Sequence, residues 1–93
     1  MIEMNPTAVE VFLTAGQTLN FSDAAERLHY TPQTVSRYIR GMEEALGAAL
    51  FAREGSRLAL TETGRLLAQK YREYYEGLQV VRRAAQEEKD PRN

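Results

Sequence analysis

Apolar positions along this chain fall into five clusters, separated by Gly, Pro or short polar stretches. Behind Asn5-Pro6, a cap acceptor followed by Pro at the first helical position, come Ala8, Val9, Val11, Phe12, Leu13 and Ala15. That density predicts a helix packed on more than one side and stopped at Gly16. Leu19 and Phe21 follow in a short loop, placed to plug the core from outside a helix. Ser22 reads as the next N-cap, with Asp23 at the dipole-positive end of a short helix. Ala24, Ala25 and Leu28 give that helix a narrow apolar face, ending near His29-Tyr30. Thr31-Pro32 repeats the start signal, and Val35, Ile39, Met42 and Leu46 recur at i, i+4, i+7 and i+11 before Gly47. Two helices joined by about three or four residues, roughly 29–31, form a helix-turn-helix layout.

Leu50-Phe51 and Leu58-Ala59-Leu60 flank the polar stretch Arg53-Glu54-Gly55-Ser56-Arg57, which predicts a small hairpin. Thr61 then caps a last helix over 62–88, followed by the polar tail 89–93. In that helix Leu67, Tyr71, Tyr74, Leu78, Val81 and Ala85 are spaced 4, 3, 4, 3 and 4, a heptad-like seam. About 27 residues run roughly 40 Å, so only the first turns can reach the domain's own core. The remainder needs a partner, unless the whole helix lies along its own domain. Tyr71 and Tyr74 suit a partly wet interface, since their hydroxyls need hydrogen-bond partners. The fold expected is mainly α, a three-helix core plus a small β wing and a long C-terminal helix. Its core is expected to hold Val9, Phe12, Leu13, Ala24, Ala25, Leu28, Val35, Ile39, Met42, Leu46, Leu50 and Phe51.

Composition narrows the chemistry. Ninety-three residues make one small domain, divided here into a body over 1–60, a helix over 61–88 and the tail. With no Cys, disulfide frameworks and thiolate catalysis are excluded, and a single His29 leaves no His-based metal cluster. No cofactor and no metal is expected. No apolar run approaches the roughly 20 residues of a membrane span, and no signal-peptide pattern opens the chain, so the expected compartment is the cytoplasm. Neighbouring carboxylates such as Glu43-Glu44 and Glu87-Glu88 point about 100° apart on a helix, so no catalytic pair forms and no enzyme is expected.

Twelve Lys and Arg against thirteen Asp and Glu give a net charge of −1, which counts against a nucleic-acid binder. The charge is unevenly spread. Residues 1–26 carry Glu3, Glu10, Asp23 and Glu26 and no basic residue. All twelve basic residues then face nine acidic ones after position 26, a surplus of three. With Val35, Ile39, Met42 and Leu46 pointing inward, the far side of the 32–46 helix carries Gln33, Arg37, Arg40 and Glu44, with Thr34 and Ser36 on the flanks. These are donors and acceptors that read base edges and hold phosphates. The plainer alternative is that Arg37 and Arg40 only solvate an exposed face. In the hairpin, Arg53 and Arg57 suit either a wing reaching the minor groove or an ordinary polar turn with Arg53 paired to Glu54 or Glu43.

The blocks Phe21-Ser22-Asp23-Ala24-Ala25-Glu26-Arg27-Leu28-His29, Val35-Ser36-Arg37 with Ile39, and Glu43-Glu44-Ala45-Leu46-Gly47 occur in order and without gaps. With Leu50-Phe51-Ala52-Arg53 and Leu60-Thr61-Glu62-Thr63-Gly64, they resemble the N-terminal domain of LysR-type transcriptional regulators over about residues 8–66. The resemblance implies a winged helix-turn-helix that binds double-stranded DNA as a homodimer through its linker helix. It places Ser36 and Arg37 at recognition-helix contacts, Arg53 at the wing, and Ser22 and Thr31 at phosphate contacts. Where the family commonly has Gln followed by Pro or Ser after the cap, this chain has Pro32-Gln33, which moves the amide about 100° around the helix. The family's effector-binding domain would follow the linker helix, so a small-molecule site is not expected on this chain. A second reading is a short protein-interaction module that pairs through the long helix with a related full-length regulator.

Overall fold

The computed structural model describes residues 5–89, so Asp90 to Asn93 of the expected tail lie outside the described residues. The elements are α1 (Pro6–Thr18), α2 (Phe21–Leu28), α3 (Pro32–Leu46), β1 (Phe51–Glu54), β2 (Arg57–Leu60) and α4 (Glu62–Lys89). Asn5 caps α1, its Oδ1 accepting from the Ala8 N–H at 2.8 Å. The helix does not stop at Gly16. It runs to Thr18, whose hydroxyl donates to the Thr14 carbonyl at 3.1 Å, and Leu19 takes the left-handed cap position at φ 52°. Gly16 is therefore an interior helical residue, where a Cβ would meet the Leu60 methyls at 3.7 and 3.8 Å, ordinary contact. Gly16→Ala should raise stability by about 0.5–1 kcal/mol by restricting the unfolded chain. A urea midpoint below that of the parent protein would refute this.

The start of α2 also differs from expectation. Asn20, extended at φ −157°, is the N-cap, and its Oδ1 accepts from Asp23 N–H at 2.9 Å. Asn and Ser cap about equally well, so local sequence does not choose between Asn20 and Ser22. Tertiary packing does: Phe21 sits in the first turn of α2 with its ring edge-on to Phe51, centroids 5.3 Å apart. Phe21 is thus half-buried within a helix, while Leu19 is exposed. Thr31 caps α3 as expected, accepting from Thr34 N–H at 3.1 Å, and Gly47 ends it at φ 72°.

α1, α2 and α3 pack around Phe12, Met42, Leu50, Val11 and Val35, the largest fully buried side chains. Leu13, Leu28 and Phe51 are half-buried against this cluster rather than inside it. Leu46, expected in the core, is instead 42% exposed: it is the last residue of α3, and the chain turns away at Gly47 directly after it. Ala8, Val11, Ala15 and Ala68 complete the core instead, small residues that let helices approach closely. β1 and β2 pair antiparallel, Phe51 opposite Leu60 and Glu54 opposite Arg57, with Gly55 at φ 65° opening the two-residue turn.

The wing returns the chain to the body through a compact junction. The Glu43 carboxylate accepts from Leu50 N–H at 2.8 Å and Phe51 N–H at 3.4 Å. Thr61 N–H donates to the Leu50 carbonyl at 3.0 Å, and its hydroxyl to the Ala49 carbonyl at 2.7 Å. The same hydroxyl accepts from Gly64 N–H at 3.0 Å, capping α4. Leu67, Ala68 and Tyr71 lie on the core, and from Arg72 to Glu88 every residue of α4 is exposed. The helix therefore extends beyond the body, giving a molecule of 58 × 26 × 26 Å. Three helices, a two-stranded wing and a long terminal helix make a winged helix-turn-helix.

Candidate nucleic-acid interface

The outward face of α3 starts at its N-terminus, where Pro32 occupies the first turn without costing a hydrogen bond. Pro32, Gln33, Arg37 and Arg40 are exposed along it, and Thr34 and Ser36 are half-buried on the flanks. Arg40 Nη2 donates to Ser36 Oγ at 3.3 Å, so these two side chains form one unit, with Arg37 apart from them. The Thr31 hydroxyl is engaged in the cap: besides accepting from Thr34 N–H, it donates to Thr34 Oγ1 at 3.0 Å. On the flank away from the wing, the rings of Tyr30 and Tyr38 stack at 6.4 Å, a pair the sequence pattern did not single out.

The wing brings its arginines towards two other elements. Arg53, Ser56, Arg57 and Leu58 form one wall of an open cleft of about 540 Å³, and residues 18–22 form the other. Phe21 and Ser22 in the first turn of α2 therefore face Arg53 and Arg57 across a polar gap. A second cleft of about 230 Å³ runs between α3 and the wing, lined by Ser36, Arg40, Glu43 and again Arg53. Arg53 thus borders both.

Among the described residues the one ion pair is Lys70–Glu73 at 3.5 Å. Arg37, Arg40, Arg53 and Arg57 have no carboxylate partner there. The pairing of Arg53 with Glu43 or Glu54 is not formed, because the Glu43 carboxylate is turned to the Leu50 and Phe51 amides. Four guanidinium groups in no ion pair among the described residues, beside a helix N-terminus, suit a polyanion. The acidic first helix contributes Glu10, exposed but on none of these walls.

The seam of α4 divides in two. Leu67 and Tyr71 belong to the domain's own packing, and burial, helped by the neighbouring Tyr75 phenol, pushes the Tyr71 phenol above the ordinary tyrosine range. Tyr74, Leu78 and Val81 are 59%, 40% and 62% exposed, and Ala85 is exposed with them. Tyr71, Tyr74, Tyr75 and Leu78 meet Pro6 and Val9 of α1 in an apolar groove of about 410 Å³. No helix among the described residues is long and apolar enough to cross a membrane.

A family profile described as bacterial regulatory helix-turn-helix protein, lysR family, matches residues 6–65. An uncharacterized HTH-type transcriptional regulator of Azotobacter vinelandii is 37% identical over 81 residues, covering 87% of this chain and 56% of its own length. A LysR-family regulator of Eggerthella lenta superposes with a TM-score of 0.72 at 40% identity, over 73% of this chain and 97% of that one. DarR of Vibrio fischeri, solved in complex with DNA, has a TM-score of 0.70 at 30% identity, over 86% of this chain and 27% of that one. The chain thus spans about half the length of the first of these relatives and about a quarter of the last.

Proposed function

The chain belongs to the LysR family of bacterial regulatory helix-turn-helix proteins, and from that membership we propose that it regulates transcription by binding specific DNA sites as a homodimer. α3 enters the major groove, where Gln33, Ser36, Arg37 and Arg40 meet base edges and phosphates. Thr31, Pro32 and Thr34 line its entry. The wing lies over the flanking backbone and minor groove with Arg53 and Arg57, and Ser22 binds phosphate at the start of α2. The observation that carries this reading is the group of four exposed arginines around α3 and the wing, none in an ion pair among the described residues. It favours DNA over a module that only pairs with other regulators, which would have no use for that face. The relative solved on DNA supports it independently.

Pairing is proposed through Tyr74, Leu78, Val81 and Ala85, extending the seam begun by Leu67 and Tyr71. Charge order on the exposed half favours an antiparallel pair. Glu73 and Glu76 precede Arg82 and Arg83, so antiparallel helices set unlike charges opposite, whereas parallel ones set like charges together. Two recognition helices then face successive major grooves on one side of the duplex. The place of action is the bacterial cytoplasm, at the nucleoid when bound.

Anisotropy titration against a duplex selected by the chain from a random pool tests the proposal. Affinity should fall with salt by a log–log slope of about 0.9 for each phosphate contacted. Arg37→Ala should cost about 1–3 kcal/mol and relax base preference at one position if Arg37 reads a guanine. If it holds a phosphate, the slope should shrink by about one while base preference stays. An unchanged affinity in this variant would remove Arg37 from the interface, and a flat salt response would remove DNA altogether.

A further inference from the structure

Leu50 is fully buried, and its two backbone polar groups point to different helices. Its N–H is held by Glu43 of α3 at 2.8 Å, and its carbonyl takes the Thr61 N–H, at the threshold of α4, at 3.0 Å. The Phe51 N–H reaches the same Glu43 oxygen at 3.4 Å. Thr61 adds a hydroxyl bond to the Ala49 carbonyl at 2.7 Å, and Arg65 Nη1 donates to the Leu60 carbonyl at 3.1 Å. A bond from an amide to a carboxylate is stronger than one between neutral groups. One residue therefore ties the helix that carries Arg37 to the helix that carries the pairing seam.

We propose that the Glu43–Leu50–Thr61 junction sets the angle between α3 and α4, and thereby the half-site separation that the dimer accepts. The inference rests on the pairing proposed above and names positioning residues for it. The lever is long. From Glu62 to Leu78 α4 covers about 24 Å, so a tilt of about 10° at its base moves the seam by about 4 Å. That is close to the roughly 3.4 Å rise of one base pair, and in a symmetric dimer both arms contribute. Past Tyr71 the body braces α4 against such a tilt only through the open groove where Tyr74, Tyr75 and Leu78 meet Pro6 and Val9.

The test uses the full chain on the selected duplex, on versions with two base pairs inserted or removed between the half-sites, and on a duplex with a single half-site. A two-base-pair insertion turns one half-site by about 70° around the duplex. The parent protein should lose about 30-fold or more in affinity on that insertion, since a rigid dimer forfeits its effective concentration. Thr61→Val should lose only about threefold, with single-half-site affinity within about twofold of the parent, and Glu43→Ala should show the same weakened spacing preference relative to its own single-half-site affinity. Variants that retain the parent's spacing ratio overturn the proposal. So do variants whose single-half-site affinity falls in step with the rest, which marks general loss of fold. A parent chain that sediments as a monomer, free and on DNA, overturns the pairing reading and this inference together.

Discussion

Gly64→Ala is expected to lower the stability of the domain by about 3 kcal/mol, towards the upper end of what overpacking costs. A Cβ at this position would fall inside contact distance of the Leu50 carbonyl oxygen and 2.9 Å from Leu60 Cδ2. The Leu60 methyl can turn aside. The carbonyl cannot, because it accepts the Thr61 N–H and belongs to a buried residue. The first turn of α4 would have to rise off the body, loosening Ala68 and Tyr71 from the core. For a domain of this size the loss corresponds to a thermal midpoint lower by about 12–24 °C. Gly16→Ala provides the internal control, since it too fills a helical glycine but meets only ordinary contacts. Equal effects of the two substitutions would show that helical glycine as such, rather than the Leu50 carbonyl, governs the outcome.

Leu78→Lys is expected to separate pairing from folding. Leu78 lies seven residues past the last seam position that touches the core, and it is already 40% exposed in the single chain. A lysine there leaves the three-helix body intact but places a charge in the middle of the seam, desolvated if the helices pair. Sedimentation velocity should find a monomer at concentrations where the parent is a dimer, with the unfolding transition of the body unchanged. Affinity for a two-half-site duplex should drop by about 100-fold, because the second arm no longer binds at high effective concentration. Single-half-site affinity should not move. A variant that remains dimeric would place the interface elsewhere, outside both the seam and the groove with Pro6 and Val9 that Leu78 also lines.

Much of this architecture was legible because its signals are local. Thr31-Pro32 and Gly47 bracket α3, and Thr61 caps α4, through bonds reaching only three or four residues. The exposed face of α3 followed from its 3.6-residue period. Misplaced ends had one cause: two good candidates stood close together and packing chose between them. Asn20 prevailed over Ser22 because Phe21 packs on Phe51, and Leu19 took the left-handed position that suggested Gly16. Leu46 fits the apolar stripe by period, yet at the last position of α3 it is 42% exposed. In the candidate site, the arginines could be named from sequence, whereas the meeting of Ser22 with Arg53 and Arg57 across a cleft is a product of the fold. The Glu43 bond to Leu50 likewise joins positions seven apart with a turn between them, and no periodicity announces it.

The bare outer half of α4 ties assembly to helix formation. A lone helix of about ten residues is below the helix–coil balance in water, and among the described residues the groove with Pro6 and Val9 reaches α4 only as far as Leu78. Amides between Gln79 and Glu88 should therefore exchange with solvent quickly in dilute chain and slowly once copies meet. Association supplies the order that the single chain lacks, so cooperativity of unfolding itself depends on concentration. Titration of the protein alone, without DNA, would then tune how much of α4 behaves as a rod and how much as a tether.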